Sequence, residues 1–173
     1  AACVHLTDLM ANPDALHDYD IIAIPGGFSY GDDVASGKIF ANRMRHRVGD
    51  ALLRFANDGK LAIGICNGFQ VMVKMGLLPL FEGDFAQEVT LTHNDSDRFE
   101  NRWVHLKKDP ATPCVWLNGI DSLESPIRHG EGKFIPRDDP TLERLQQNGQ
   151  IALRYAGPDG NAAHGIFPLN PNG

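Results

Sequence analysis

The segment that most constrains the fold of this chain is Leu61–Gln70, which reads LAIGICNGFQ. An apolar run of strand length leads through Gly64, Cys66 and Gly68 directly into residues with helical spacing. A side chain at a sharp strand-to-helix turn projects above the edge of the sheet. Glycines two positions before and after it remove the crowding that such a turn creates. The pattern therefore predicts a nucleophile elbow that presents the thiol of Cys66.

Cys66 has two interpretations. Free cysteine is among the most buried residue types, so a structural thiol is the general expectation, and Cys3 and Cys114 in their apolar stretches fit it. Cys66 differs because the turn places it at a helix N-terminus, where unpaired N–H groups and the helix dipole favour the nucleophilic thiolate. The backbone N–H of Asn67 would then point to where an oxyanion forms. We interpret Cys66 as a catalytic nucleophile.

The first half of the chain alternates apolar runs with helical patterns. Runs of strand length occur at Ala2–Leu6, Ile21–Ile24 and Leu61–Ile65. Apolar residues recur every three to four positions over Lys38–Asn57, and Gly59 follows where a helix C-terminal glycine belongs. A strand, helix, strand, helix order predicts an α/β fold with a parallel sheet.

The second half of the chain is less regular. It contains no repeat or linker, so we predict one domain over residues 1–173. The expected elements are strands at Glu88–Thr92, Arg102–Leu106, Cys114–Leu117 and Ile151–Tyr155, a helix at Thr141–Asn148, and a hairpin to Ala162–Phe167 through the turn Gly157–Gly160.

A second glycine-rich loop, Ile24–Asp33, reads IPGGFSYGDD and also ends an apolar strand. Loops at the carboxyl ends of parallel strands line the same crevice, so this loop and Cys66 are expected to face one cavity. The backbone N–H of Gly26, of Gly27 or of Phe28 could complete an oxyanion hole with that of Asn67. The alternative is an ordinary turn. A phosphate cradle is disfavoured, because neither GxGxxG nor a P-loop Gly-Lys-Ser/Thr is present.

The composition excludes several classes of function. The net charge is −6 without a basic cluster, so nucleic acid is not an expected partner. The apolar runs are far shorter than the roughly 20 residues of a membrane helix. Three widely spaced cysteines give neither a disulfide framework nor a zinc site, and no metal site is expected. A reducing, cytoplasmic location is the default expectation.

The segments PGGFSYGDD, GICNGFQ and HGEGKF together resemble the class I glutamine amidotransferases. NDSDRFENRWVHL and LNPNG extend the resemblance, which is greatest to the branch that serves phosphoribosylformylglycinamidine synthase. It implies a flavodoxin-like fold, an open and mostly parallel sheet with helices on both faces. It also implies a glutaminase that hydrolyses L-glutamine to glutamate and ammonia, and passes the ammonia to the synthase for purine biosynthesis. This domain would need no cofactor, since the partner synthase uses the ATP and magnesium.

The resemblance also assigns roles to individual residues. Cys66 would attack the glutamine side-chain amide and form a glutamyl thioester. The oxyanion hole would comprise Gly27, Phe28 and Asn67. The substrate-binding residues would be Gly26, Gln70, Asn94, Ser96, Arg98 and Phe99.

The sequence departs from the family in two respects. The resemblance implies a first strand and helix before Ala1 that this sequence lacks. The family activates its cysteine with a His and a Glu in a segment like Pro-His-Pro-Glu, and no such segment occurs here. The chain is therefore expected to be truncated at both ends and to be inactive by itself. His129, which has Glu131 two residues later, is an alternative candidate for the catalytic base, and His164 is a less favoured candidate. Two alternative functions remain. The protein could be a non-catalytic subunit that binds and regulates a synthase, or a different cysteine hydrolase.

Overall fold

Two parallel strands organise the N-terminal part of the chain. The computed structural model describes all 173 residues and divides them into two units, Ala1–Val89 and Thr90–Gly173. In the first unit β1 (Ile21–Ile24) pairs with β2 (Leu61–Gly64) in parallel, in a register that places the first residues of the two strands opposite each other. Parallel strands need a long crossover, which here contains a helix. The predicted α/β class is confirmed, and a single domain over residues 1–173 stays a prediction.

Three α-helices accompany this strand pair: α1 (Leu6–Ala11), α2 (Lys38–Asn57) and α3 (Asn67–Met75). The bounds of α2 are those predicted from its apolar periodicity, and Gly59 follows it with φ = 74°. Short 3₁₀ helices lie at Pro13–Asp18 and Ser29–Asp32. The core consists mainly of apolar side chains from the inner faces of α2 and α3, namely Ala41, Met44, Val48, Ala51, Leu52, Phe55, Val71, Met72 and Met75.

Antiparallel pairing dominates the second unit. Its three-stranded sheet has the order β5 (Ser122–His129), β4 (Glu100–Lys108), β7 (Leu153–Ala156). A separate pair joins β3 (Val89–Thr92) and β6 (Lys133–Pro136). None of the helices of the chain is long and apolar enough to cross a lipid bilayer. The second unit also contains a 3₁₀ helix (Val115–Leu117) and α4 (Asp139–Gln147).

Three predicted strands differ in the structure. Ala2–Leu6 is not a strand, because the side chain of His5 accepts a hydrogen bond from the N–H of Thr7 and starts α1 at Leu6. Cys114–Leu117 is not a strand either, since its last three residues form a 3₁₀ turn. The expected Ala162–Phe167 strand is reduced to one bridge between Ala156 and Ala162.

Two strands were not predicted. β5 contains Pro126, which has no N–H to donate and argues against a central strand. The sheet accommodates it because β5 lies at the edge, with only β4 as its neighbour. Alternating residues of β5 are half-buried, which is the period of two expected of a strand with one covered face. β6 follows directly after Gly130 and Gly132, and its four residues are too few to show a clear period of two.

Candidate active site

The strand-to-helix turn around Cys66 has the conformation predicted from the sequence. β2 ends at Gly64, α3 begins at Asn67, and Cys66 occupies the N-cap position with φ = 54° and ψ = −116°. This region of backbone space is uncommon for a residue with a side chain, and such strain occurs preferentially at functional sites. The thiol is free and exposed. The turn therefore presents a sulfur atom to a ligand.

Gly64 and Gly68 are sterically required at this turn. A Cβ on Gly68 would lie 1.9 Å from the carbonyl oxygen of Ile24 and 2.9 Å from that of Pro25. A Cβ on Gly64 would lie 2.6 Å from the Sδ of Met72. The absence of these two side chains lets the first turn of α3 pass directly over the ends of β1 and β2. The two glycines therefore relieve crowding at the turn, as their spacing in the sequence predicts.

The glycine-rich loop after β1 lies beside the thiol. A Cβ on Gly26 would be 3.1 Å from the Cβ of Cys66 and 3.8 Å from its Sγ. Gly27 has φ = 148°, which a side chain would strain, and Phe28 is 74% exposed. The structure therefore brings the backbone of this loop next to Cys66. The roles of Gly26 in binding substrate, and of Gly27, Phe28 and Asn67 in an oxyanion hole, remain predictions.

The side chain of Asn67 connects the loop to α3, a function that the sequence did not reveal. Its Oδ1 accepts hydrogen bonds from the hydroxyl of Ser29 at 2.6 Å and from the N–H of Ser29 at 3.3 Å. Its Nδ2 donates to Oδ1 of Asp32 at 3.3 Å and to Oε1 of Gln70 at 3.1 Å. Asn67 is only 3% exposed, so these protein groups make the hydrogen bonds that water would make to an exposed amide. The sequence predicted a role only for the backbone N–H of Asn67, as an oxyanion donor.

Gln70 lies beneath the loop rather than on the open surface. It is buried, and its side-chain oxygen accepts the hydrogen bond from Asn67. Both side chains extend from the first turn of α3, three residues apart, which places them on one face of the helix. Contact between Gln70 and a substrate remains a prediction.

Asn94 is a second buried amide, and it lies in the second unit. Its Nδ2 donates to the carbonyl oxygens of Arg98 and His129, each at 2.9 Å. Its Oδ1 accepts from the N–H of Gly132 at 3.2 Å and lies 3.1 Å from Nδ1 of His129. Asn94 thus fastens the loop after β3 to the end of β5. Arg98 and Phe99, in the same loop, are exposed, and substrate contacts by these three residues stay predictions.

His129 packs against Gly132, which explains the HGEG segment. A Cβ on Gly132 would lie 2.3 Å from the imidazole ring, so any other residue would displace that ring. Glu100 stands opposite His129 in the β4–β5 register and is buried. A hydrogen bond from Ser96 lowers the pKa of Glu100, burial opposes this shift, and Arg102 adds to it. Burial lowers the pKa of His129, although the nearby carboxylate of Glu100 acts in the opposite direction.

These shifts predict how stability depends on pH. Because the folded pKa of His129 is below that of the unfolded chain, about 6.5, the unfolded state binds more protons between the two values. Stability in the second unit should therefore fall as the pH drops below about 6.5. Denaturant unfolding of the full-length protein at pH 7.5 and 5.5 measures the effect. His129→Gln should reduce the difference, whereas His93→Gln, at an exposed position, should leave it unchanged.

An undiminished pH dependence in His129→Gln would contradict this assignment. Glu100 affects stability over a separate, more acidic pH range. Because folding lowers the pKa of Glu100, its carboxylate stabilises the folded state at pH values above its ordinary pKa. This stabilisation is lost as the solution becomes more acidic. The described residues also contain no group of three or more His, Cys, Asp or Glu side chains that could hold a metal ion.

Comparison with known proteins agrees with the geometry of the turn. Residues 1–173 match the family described as CobB/CobQ-like glutamine amidotransferase domain. A relative from Methanococcus maripaludis strain S2, named Phosphoribosylformylglycinamidine synthase subunit PurQ, is 47% identical over 98% of this chain and 62% of its own length. A protein of the same name from Dehalococcoides mccartyi is 42% identical over 98% of this chain and 64% of its own length. The chain thus spans a little under two thirds of these relatives.

A solved structure is also similar. It is titled "Structure of PurLQS from Thermotoga maritima", and the match has a TM-score of 0.55 and 35% sequence identity. It covers 70% of this chain and 53% of the other. Together with the strand-to-helix turn at Cys66, the match over the whole length of the sequence places this chain in the family of CobB/CobQ-like glutamine amidotransferase domains.

Proposed function

We propose that the protein containing this chain is the glutaminase of phosphoribosylformylglycinamidine synthase. It hydrolyses L-glutamine to glutamate and ammonia, and the synthase uses the ammonia with ATP and magnesium in purine biosynthesis. The glutaminase domain itself uses no cofactor, and the reaction takes place in the cytoplasm. The observation that carries the proposal is the exposed thiol of Cys66 at φ = 54°, flanked by two sterically required glycines. Relatives named as the PurQ subunit support the choice of synthase.

The reaction begins with attack by the thiolate of Cys66 on the side-chain amide carbon of glutamine. A carbon–sulfur bond forms, and the carbonyl oxygen becomes an oxyanion. The backbone N–H of Asn67 and one from Gly27 or Phe28 stabilise this oxyanion by hydrogen bonding. The carbon–nitrogen bond then breaks, and ammonia leaves after its nitrogen gains a proton. Water hydrolyses the resulting thioester to glutamate and restores the thiol.

A base is needed to deprotonate the thiol and to activate the water. No His in the first unit is followed two residues later by an acid. In the second unit His93 with Asp95 and His129 with Glu131 have that spacing. Asp95 is paired with Lys133, while Nδ1 of His129 contacts Asn94 and its ring packs against Gly132. These contacts favour a role in shaping the loop. We therefore propose that the catalytic His and Glu belong to a segment of the protein other than residues 1–173.

Covalent labelling tests the nucleophile. The full-length protein is incubated with a glutamine analogue that carries an electrophilic ketone, and the modified residue is identified by mass spectrometry. We expect one adduct, on Cys66, with ammonia release lost in proportion to labelling and protection by excess glutamine. Cys3, which is exposed, and Cys114, which is half-buried, serve as internal controls within the same chain. Complete inactivation with label on either control thiol would contradict the proposal.

Activity measurements distinguish the alternatives. A non-catalytic regulatory subunit would bind the synthase but would release no ammonia from glutamine in the reconstituted complex. A different cysteine hydrolase would turn over esters or peptides while glutamine failed to compete. Full ammonia release in a His129→Gln variant would exclude His129 as the base.

A further inference from the structure

We propose that Asp32, Ser29 and the side chain of Asn67 form a positioning network for the oxyanion hole. These side chains do not touch the substrate. They fix the loop whose backbone at Gly27 and Phe28 faces the reacting carbonyl. The inference rests on the proposed glutaminase function and deepens it, because it explains how a strained loop stays in one conformation.

Asp32 joins the beginnings of two helices. Its Oδ1 accepts a hydrogen bond from the N–H of Gly37, the N-cap residue of α2, at 3.0 Å. The same oxygen accepts from Nδ2 of Asn67, the first residue of α3, at 3.3 Å. A Cβ on Gly37 would lie 3.0 Å from the backbone nitrogen of Val71, so α2 begins in close contact with α3. One half-buried carboxylate oxygen therefore connects the loop to both helices.

The loop needs this support because its backbone is strained. Tyr30, Gly31 and Asp32 are consecutive residues in the left-handed region, with φ of 55°, 66° and 54°. Residues other than glycine rarely adopt such values and keep them only where the surroundings enforce them. The hydroxyl of Ser29, bonded to Asn67 at 2.6 Å, anchors the start of this stretch, and Asp32 anchors its end. Both Ser29 and Asp32 are hydrogen-bonded to the side chain of Asn67.

The network acts directly on the proposed chemistry. Phe28 immediately precedes Ser29, so the position of Ser29 sets the direction of the N–H groups at Gly27 and Phe28. The backbone N–H of Asn67 would supply the other oxyanion donor, while its side chain fixes the loop. One residue thereby adjusts both halves of the hole. Misplacement of such donors by about 1 Å costs on the order of 10²-fold in rate.

Substitutions at Asp32 test the network in the full-length protein with its synthase. We expect Asp32→Ala to lower kcat for glutamine hydrolysis by about 10- to 100-fold, with KM changed by less than about threefold, because the donors act on the transition state. Asp32→Asn should restore most of kcat, since its amide oxygen can accept both hydrogen bonds. Asp33→Ala, a neighbouring exposed acid, is the matched control and should have wild-type kcat.

Two further measurements make the result decisive. Alkylation of Cys66 by iodoacetamide, which needs no oxyanion hole, should proceed at the wild-type rate in Asp32→Ala. Where that variant does not fold, Ser29→Ala replaces it, since it removes the 2.6 Å hydrogen bond to Asn67 and should also lower kcat at unchanged KM.

Wild-type kcat in Asp32→Ala, or in Ser29→Ala when it serves as the replacement, would overturn the inference. An Asp32→Asn variant as impaired as Asp32→Ala would also overturn it, because charge rather than hydrogen bonding would then be the cause. These outcomes leave the proposed function intact. The proposed function fails separately, if Cys66→Ala retains full glutaminase activity.

Discussion

Cys66→Ala should abolish glutamine-dependent amidation by the full-length protein and its synthase. We expect a loss of at least about 10⁴-fold, because removal of a covalent nucleophile leaves only the weak catalysis by the surrounding site. Amidation supplied with ammonium salt should continue, since the synthase then needs no glutaminase. Steady-state rates with each nitrogen source measure the two activities in one preparation.

The contrast between nitrogen sources makes the result specific. Cys3→Ala, which removes another exposed thiol of the first unit, should retain both activities. Glutamine-dependent activity that survives in Cys66→Ala would contradict the assignment of the nucleophile. Loss of both activities would indicate that the variant disturbs the synthase rather than the chemistry at Cys66.

Cys66→Gly provides a second control, because it should be inactive and more stable. At φ = 54° and ψ = −116° a side chain is strained, whereas glycine adopts these angles readily. Relief of such strain is worth on the order of 1–3 kcal/mol in the free energy of unfolding. Chemical denaturation of Cys66→Gly and Cys66→Ala measures the difference. A more stable, inactive variant would show that the loss of activity is chemical.

Gly68→Ala should have the largest effect on the structure. A Cβ at this position would lie 1.9 Å from the carbonyl oxygen of Ile24 and 2.6 Å from its carbonyl carbon. The clash is between two backbones, so no side-chain rotation relieves it, and α3 must move away from β1. Overpacking generally costs about 1–3 kcal/mol and occasionally more. We expect the upper end or beyond, with Cys66 displaced from the glycine loop and glutaminase activity lost.

A matched substitution separates this effect from a general intolerance of alanine. Gly165 has ordinary φ, and a Cβ there would meet nothing within 4 Å. Gly165→Ala should therefore leave the denaturation midpoint and the activity unchanged. Equal stability of Gly68→Ala and Gly165→Ala would contradict the close approach of β1 and α3.

The sequence predicted best where the constraint is local. The turn at Cys66 involves consecutive residues, so the conformation it needs is recorded in the neighbouring glycines. α2 was predicted to its observed bounds because one helix face repeats every three to four residues over Lys38–Asn57. Short apolar runs predicted strands less accurately. The strand predicted at Cys114–Leu117 was wrong, because composition does not show whether a strand has a partner to pair with.

The sequence by itself determined the α/β class, the strand-to-helix turn at Cys66 and the glycine-rich loop that accompanies it. Tertiary structure alone decided what holds that loop, because Asn67 meets Ser29 and Asp32 across 38 and 35 residues. It likewise decided that Asn94 joins His129 across 35 residues, and that the proline-containing β5 forms a strand at the edge of a sheet. Such contacts depend on strand register and on the directions of distant side chains. Neither is written in the residues next to them, so only the folded chain reveals the polar network beneath Cys66.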